Sequence, residues 1–183
     1  MDLEDTRYQV LFLCQRNATR GILAEALLNT KGRERFRACS AGTRPAGTVN
    51  HQALELLKRL DLPTQSLRSK SWDEFAGPDA PQMDFIFSLC DKTAAEPCPH
   101  WPGKPVTGNW SIPDPSLVEG TEIEKANAYR DVFNMLERRI SLFLSLPLES
   151  IDHLSMTQHF READAHLVHR PHTAVLRPAA REV

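Results

Sequence analysis

Apolar positions along this chain fall into two alternating spacings, and the alternation lays out its elements in order. Tyr8 to Leu13 form a short apolar run, the pattern of a strand buried on both faces of a parallel sheet. From about Thr19 to Leu28 the spacing turns helical, with Ile22, Leu23, Ala26 and Leu27 on the inner face. Phe36–Ser40 predicts a second strand, ended by Ala41 and Gly42. Asn50 can cap a helix that turns Ala53, Leu54, Leu56, Leu57 and Leu60 inward. A third strand is predicted over Asp84–Leu89 with Cys90 at its C-terminal end, and a short fourth around Val106–Trp110. Thr121 opens a long amphipathic helix to about Leu144, with Ile123, Tyr129, Val132, Phe133, Leu136, Ile140 and Phe143 as its apolar stripe. Strands alternating with helices predict an α/β fold, a parallel sheet covered on both faces. In such sheets ligands bind beyond the carboxyl ends of the strands, where Cys14 and Cys90 both lie.

The periodicity fades after Pro147. Residues 148–183 hold five of the seven histidines with several arginines and prolines, and read as an extension: one helix near Ser155–Ala165, then an extended or disordered end. Residues 1–147 form the single domain, consistent with a chain of 183 residues that is long enough for one core and short for two. The spacing His166, His169, His172 invites a metal reading, but Pro171 interrupts any helix that would align the imidazoles, and no metal is expected.

Net charge is −2, which makes no electrostatic case for nucleic acid or a membrane surface. The opening Met1-Asp2-Leu3-Glu4-Asp5 is acidic and lacks an apolar secretory core, and no apolar run approaches a membrane span. The expected compartment is the cytosol. Four cysteines in that reducing setting read as free, catalytic or transiently oxidised thiols.

The chemistry concentrates in three places. After the first strand, Cys14 is followed six residues later by Arg20, with a helix-compatible segment at once beyond. Five intervening residues, Gln15, Arg16, Asn17, Ala18 and Thr19, can wrap backbone N–H groups around a tetrahedral oxyanion such as phosphate or arsenate. The same positive field is expected to lower the Cys14 thiol pKa, and Arg20 can offer the anion two parallel donors. On the loop after the third strand, Cys90 and Cys98 are eight residues apart. They lack the close Cys-x2-Cys pair of a zinc site and leave two readings, a thiol–disulfide relay with Cys14 or two unrelated thiols. In Trp110-Ser111-Ile112-Pro113-Asp114-Pro115 two prolines hold Asp114 in a rigid turn, as a proton donor for a leaving oxygen or simply as the cap of that turn.

Taken together, the chain resembles the low-molecular-weight protein tyrosine phosphatase superfamily, and within it the thiol-dependent bacterial arsenate reductases of that fold. The resemblance covers roughly Tyr8 to Pro147. It is carried by the Cys14-to-Arg20 loop with Asn17 in its middle, Ser40-Ala41-Gly42-Thr43, Arg68-Ser69-Lys70-Ser71-Trp72-Asp73-Glu74-Phe75, the Cys90/Cys98 loop, and the Trp110–Pro115 turn. It implies a three-layer sandwich with a four-stranded parallel sheet flanked by helices. It also implies a mechanism. Cys14 attacks arsenate held by the loop and Arg20, Cys90 attacks Cys14 and releases arsenite, and Cys98 attacks Cys90. The Cys90–Cys98 disulfide then passes to an external thiol reductant, such as thioredoxin or glutathione/glutaredoxin, with no bound cofactor. Asp114 matches the general acid, and Asn17 with Ser40 the support of the loop. Phosphatase activity on phosphotyrosine or small phosphoesters is the alternative, and a non-catalytic oxyanion-binding or redox-sensing protein a second. Three positions depart from the family pattern: Gly21 where serine or threonine is common, Arg16 where glycine or another compact residue is common, and Asn109-Trp110-Ser111 in place of His-Trp-Gly.

Overall fold

The computed structural model describes residues 6–90, 93 and 99–148. The C-terminal extension and Cys98 therefore lie outside the described residues. Four parallel strands form one sheet in the order β2-β1-β3-β4: β1 (Tyr8–Cys14), β2 (Phe36–Gly42), β3 (Phe85–Ser88) and β4 (Val106–Asn109). Strand β1 pairs on both sides, from Tyr8↔Phe36 to Cys14↔Gly42 with β2 and from Val10↔Phe85 to Leu13↔Ser88 with β3. Being central explains its continuous burial from Val10 to Cys14.

Alternation along β1 sends its side chains to two cores. Val10, Phe12 and Cys14 join a cluster with residues of three helices, α1 (Arg20–Lys31), α2 (His51–Arg59) and α3 (Glu122–Leu144). Leu11 and Leu13 join a smaller one with Ala41, Phe75, Met83 and Ile86, flanked by Trp72 and Trp101. Among the described residues all three helices thus pack on one face. Among the described residues the other face is covered by the 3-10 turn Trp72–Phe75 and the loops around it, which form the third layer.

Local signals explain the helix ends. Thr121 and Glu124 form a reciprocal capping box at the start of α3, with Glu124 Oε2 accepting from the Thr121 N–H at 2.7 Å. Asn50 Oδ1 accepts from the N–H groups of Gln52 and Ala53 to open α2. The stripe of α3 is buried from Tyr129 to Phe143, whereas Ile123 is 74% exposed, because it sits in the first turn, outside the buried part of the helix. Leu60 likewise falls on the C-cap of α2 and is partly exposed.

An aromatic cluster joins α3 to the sheet. Phe143 meets Phe36, Phe85 and Phe87 at ring-centroid distances of 4.9, 5.1 and 5.2 Å, and Phe87 stacks on Trp110 at 4.4 Å. This cluster fixes the turn after β4, which carries Asp114, relative to β1 and β3. Phe143→Ala should destabilise the fold by ~3–5 kcal/mol, read as a lower urea midpoint at an unchanged m-value. A loss below ~1 kcal/mol would show that the contact does not anchor α3.

Candidate active site

Residues 15–19 turn the chain from the end of β1 into α1. The loop carbonyls are held outward by the segment after β2: Arg44, Ala46 and Asn50 donate their N–H groups to Gln15, Arg16 and Ala18 at 2.8–2.9 Å. With the carbonyls engaged outside, the amides are left to face the loop's concave side. Gly42 is required by this closeness, since a Cβ there would meet the Gln15 carbonyl oxygen at 2.7 Å.

Asn17 takes the left-handed conformation that the loop needs, at φ 44°, and is fully buried. Its Nδ2 donates to Ser40 Oγ at 2.8 Å, and its Oδ1 accepts from the Lys70 N–H at 2.7 Å. Ser40 Oγ donates to Glu25 Oε2, which also accepts from Lys70 Nζ at 3.2 Å. Below the loop therefore lies a closed, buried network that includes an ion pair. Sequence reasoning missed Glu25 and the charge of Lys70 as parts of the site. A signal was present: residues 20–28 of α1 are buried on every side, and a carboxylate inside such a helix needs a partner.

Cys14 faces the N-terminus of α1, where the Gly21 and Asn17 N–H groups donate to its sulfur. The absent side chain of Gly21 matters here, because a Cβ would lie 3.3 Å from Cys14 Sγ and 3.0 Å from Asn17 Nδ2. In its pKa the Cys14 thiol differs from the lowered value expected. Burial pushes the Cys14 thiol above its ordinary value. The two amides and Arg20 oppose that shift, and nearby Cys90 adds to it. Cys90 itself is buried and shares a 2.9 Å hydrogen bond with Thr93 Oγ1.

Arg20 is already occupied. Its NH1 donates to the Ile112 carbonyl at 3.0 Å and its NH2 to Asp114 Oδ2 at 2.9 Å. The other carboxylate oxygen accepts from Ser116 Oγ and N–H at 2.7 and 3.0 Å and caps the turn Pro115–Leu117. One Asp114 oxygen therefore caps a turn, and the other pairs with Arg20.

The resulting cavity of about 150 Å³ brings Cys14, Arg16, Asn17, Ala18, Thr19, Arg20 and Asp114 together, with Ala46, Thr48, Asn50 and Ser116 completing the wall. Gln15 is not among its lining residues, its carbonyl being turned to Arg44. A tetrahedral oxyanion of five bonded heavy atoms is smaller than this, so the space admits one. Among the described residues no aromatic ring lines it. Among the described residues no group of three or more His, Cys, Asp or Glu side chains is placed to hold a metal ion, and no helix is long and apolar enough to cross a membrane.

Comparison with known proteins identifies the family to which this fold belongs. The family model for low molecular weight phosphotyrosine protein phosphatase matches residues 9–155, and the chain belongs to that family. The arsenate reductase of Halalkalibacterium halodurans is 29% identical over 134 residues, which cover 73% of this chain and 93% of that protein. The glutaredoxin arsenate reductase of a Synechocystis species is 24% identical over 132 residues, covering 72% and 92%. The crystal structure of the Archaeoglobus fulgidus arsenate reductase is similar at a TM-score of 0.57 and 27% identity, covering 75% of this chain and 99% of that one.

Two outcomes test this geometry. The alkylation rate of Cys14 by iodoacetamide should rise with pH through an inflection above that of an ordinary cysteine, because burial favours the neutral thiol and only the thiolate reacts. An inflection below the ordinary value would contradict that balance. Lys70→Met should cost ~3–5 kcal/mol in urea unfolding, since it leaves the Glu25 carboxylate buried without its cation. A change under ~1 kcal/mol would mean that the pair is not needed.

Proposed function

We propose that this protein reduces arsenate to arsenite, with Cys14, Cys90 and Cys98 acting in sequence. The observation that carries the reading is the placement of two buried thiols, Cys14 and Cys90, at the carboxyl ends of the adjacent strands β1 and β3. Cys14 lines a cavity large enough for one tetrahedral oxyanion. The names of the relatives support it, two arsenate reductases from other organisms and a solved structure of a third.

The chemistry follows from the residues. The incoming anion draws Arg20 off Asp114 and settles against the loop amides. Cys14 gives its thiol proton to the Asp114 carboxylate and forms a sulfur–arsenic bond, one arsenic–oxygen bond breaks, and Asp114 returns that proton to the departing oxygen. The Cys90 thiolate then attacks Cys14 Sγ. A sulfur–sulfur bond forms, the sulfur–arsenic electron pair passes to arsenic, and As(V) leaves as arsenite, As(III). Cys98 attacks Cys90 and frees Cys14, so that two thiols have supplied two electrons. An external dithiol or glutathione-type reductant reduces the Cys90–Cys98 disulfide. A thioredoxin- or glutaredoxin-like partner in a reducing compartment such as the cytosol fits this last step, and one relative's name includes glutaredoxin.

Serine variants of the two later cysteines separate reductase from phosphatase. Cys98→Ser should release one arsenite per protein and then accumulate a Cys14–Cys90 disulfide, visible by peptide mapping. Cys90→Ser should release none in a buffer free of small thiols. Equal multiple-turnover rates for the parent and both variants would remove the relay and leave phosphoester hydrolysis as the reading.

A further inference from the structure

Three of the residues that line the oxyanion cavity carry formal charge, Arg16, Arg20 and Asp114. Two of them cancel, because Arg20 is ion-paired with Asp114 at 2.9 Å. The uncompensated charge of the cavity is therefore that of Arg16. It is also the exposed charge of the lining, whereas Arg20 is buried and Asp114 half-buried. Among the described residues the Arg16 side chain has no hydrogen-bond or ion-pair partner. Its backbone, by contrast, is fixed. The Arg16 carbonyl accepts from the Ala46 N–H at 2.9 Å and from Ser69 Oγ at 3.3 Å, and Asn17 beside it is held by Ser40 and Lys70. A free guanidinium is thus carried at the rim of the cavity on a main chain that cannot drift.

We propose that the Arg16 side chain is a second anion-binding cation of the site: it supplies the positive charge that Asp114 withholds from Arg20, and it engages the oxyanion before and after Arg20 is released. The inference rests on the oxyanion site proposed above but not on the reduction step. Charge balance is the reason. A bound dianion and the Asp114 carboxylate bring three negative charges to the cavity, and Arg20 alone would face them with one positive. Arg16 halves that deficit. Its guanidinium can give two parallel N–H donors to two oxygens of a tetrahedral anion. An exposed charge also acts on an anion still in solution, over a range set by ionic strength, whereas the buried Arg20 is masked by its partner. The sulfur has its own support, since Arg20 and the amides of Gly21 and Asn17 are the groups that favour the Cys14 thiolate.

The test is inorganic phosphate binding by calorimetry at fixed pH, in low and in high sodium chloride, to the parent, Arg16→Gln and Arg16→Lys. Both substitutions keep a long polar side chain on a backbone held through its carbonyl, so the loop should survive them. Arg16→Gln should weaken phosphate about tenfold at low salt, the scale of one hydrogen bond to a charged group, and should lose less affinity than the parent when salt is added. Arg16→Lys keeps the charge and should bind within about threefold of the parent, with the parent's salt response. The pH inflection of Cys14 alkylation should stay at the parent's value in Arg16→Gln, since the amides and Arg20 that act on the sulfur are untouched. Arg16→Gln binding phosphate as tightly as the parent would overturn the proposal, as would Arg16→Lys binding as weakly as Arg16→Gln. Weaker phosphate with a shifted alkylation inflection would place the loss in a disturbed loop, and would overturn it too. A parent that binds no phosphate would instead remove the oxyanion site itself, and this proposal with it.

Discussion

Two hydrogen bonds from the Asn17 side chain hold a non-glycine residue in the left-handed backbone region, and the geometry of the site depends on them. That conformation costs on the order of 1–3 kcal/mol for an ordinary residue and persists only where surroundings over-determine it. Here they do. The amide group of Asn17 is gripped from both ends, by Ser40 on β2 and by the backbone of Lys70. Glu25 from α1 then ties Ser40 and the Lys70 ammonium together. One network therefore couples the central loop, the first helix, an adjacent strand and the segment beyond α2. Because it is closed, no buried polar atom within it is left without a partner, which is what makes an interior ion pair tolerable.

Much of this was legible in the chain. The four strands and three helices follow from apolar spacing, and the pairing of Cys14 with Arg20 marks the loop before any coordinates exist. What escaped is what depends on distant partners. Lys70 reaches Glu25 across 45 residues, and neither residue's neighbours in sequence announce the pairing. Glu25 reads as the solvent side of an amphipathic helix until α1 is seen to be enclosed on all sides. The Cys14 pKa could not be judged from motif chemistry, because desolvation depends on how tightly α1 closes over the sulfur. Ile123 fails for a simpler reason: helical periodicity gives the face of a residue but not where along the helix the core begins.

Gly21 gains a physical explanation from the packing. A side chain there would press between Asn17, Ser40 and the sulfur, whereas the glycine brings its own N–H to Cys14. The thiol is supported by amides, and its ionisation is balanced between those donors and burial.

The Arg20–Asp114 ion pair means that the cavity contains a competitor for the oxyanion proposed to bind there. A carboxylate tethered 2.9 Å from the guanidinium acts at a very high effective concentration, far above any dissolved monovalent anion. Halides and simple carboxylates, offering no more than Asp114 does, would be turned away. A tetrahedral dianion brings two oxygens to the guanidinium and others to the loop amides at once, and so can displace it. Such a filter excludes by charge and shape and is blind to the central atom, so phosphate would pass it as readily as arsenate. On the proposed reaction, discrimination between the two falls to the electron transfer: a thiol can withdraw its bond from arsenic by reducing it, and phosphorus offers no comparable path.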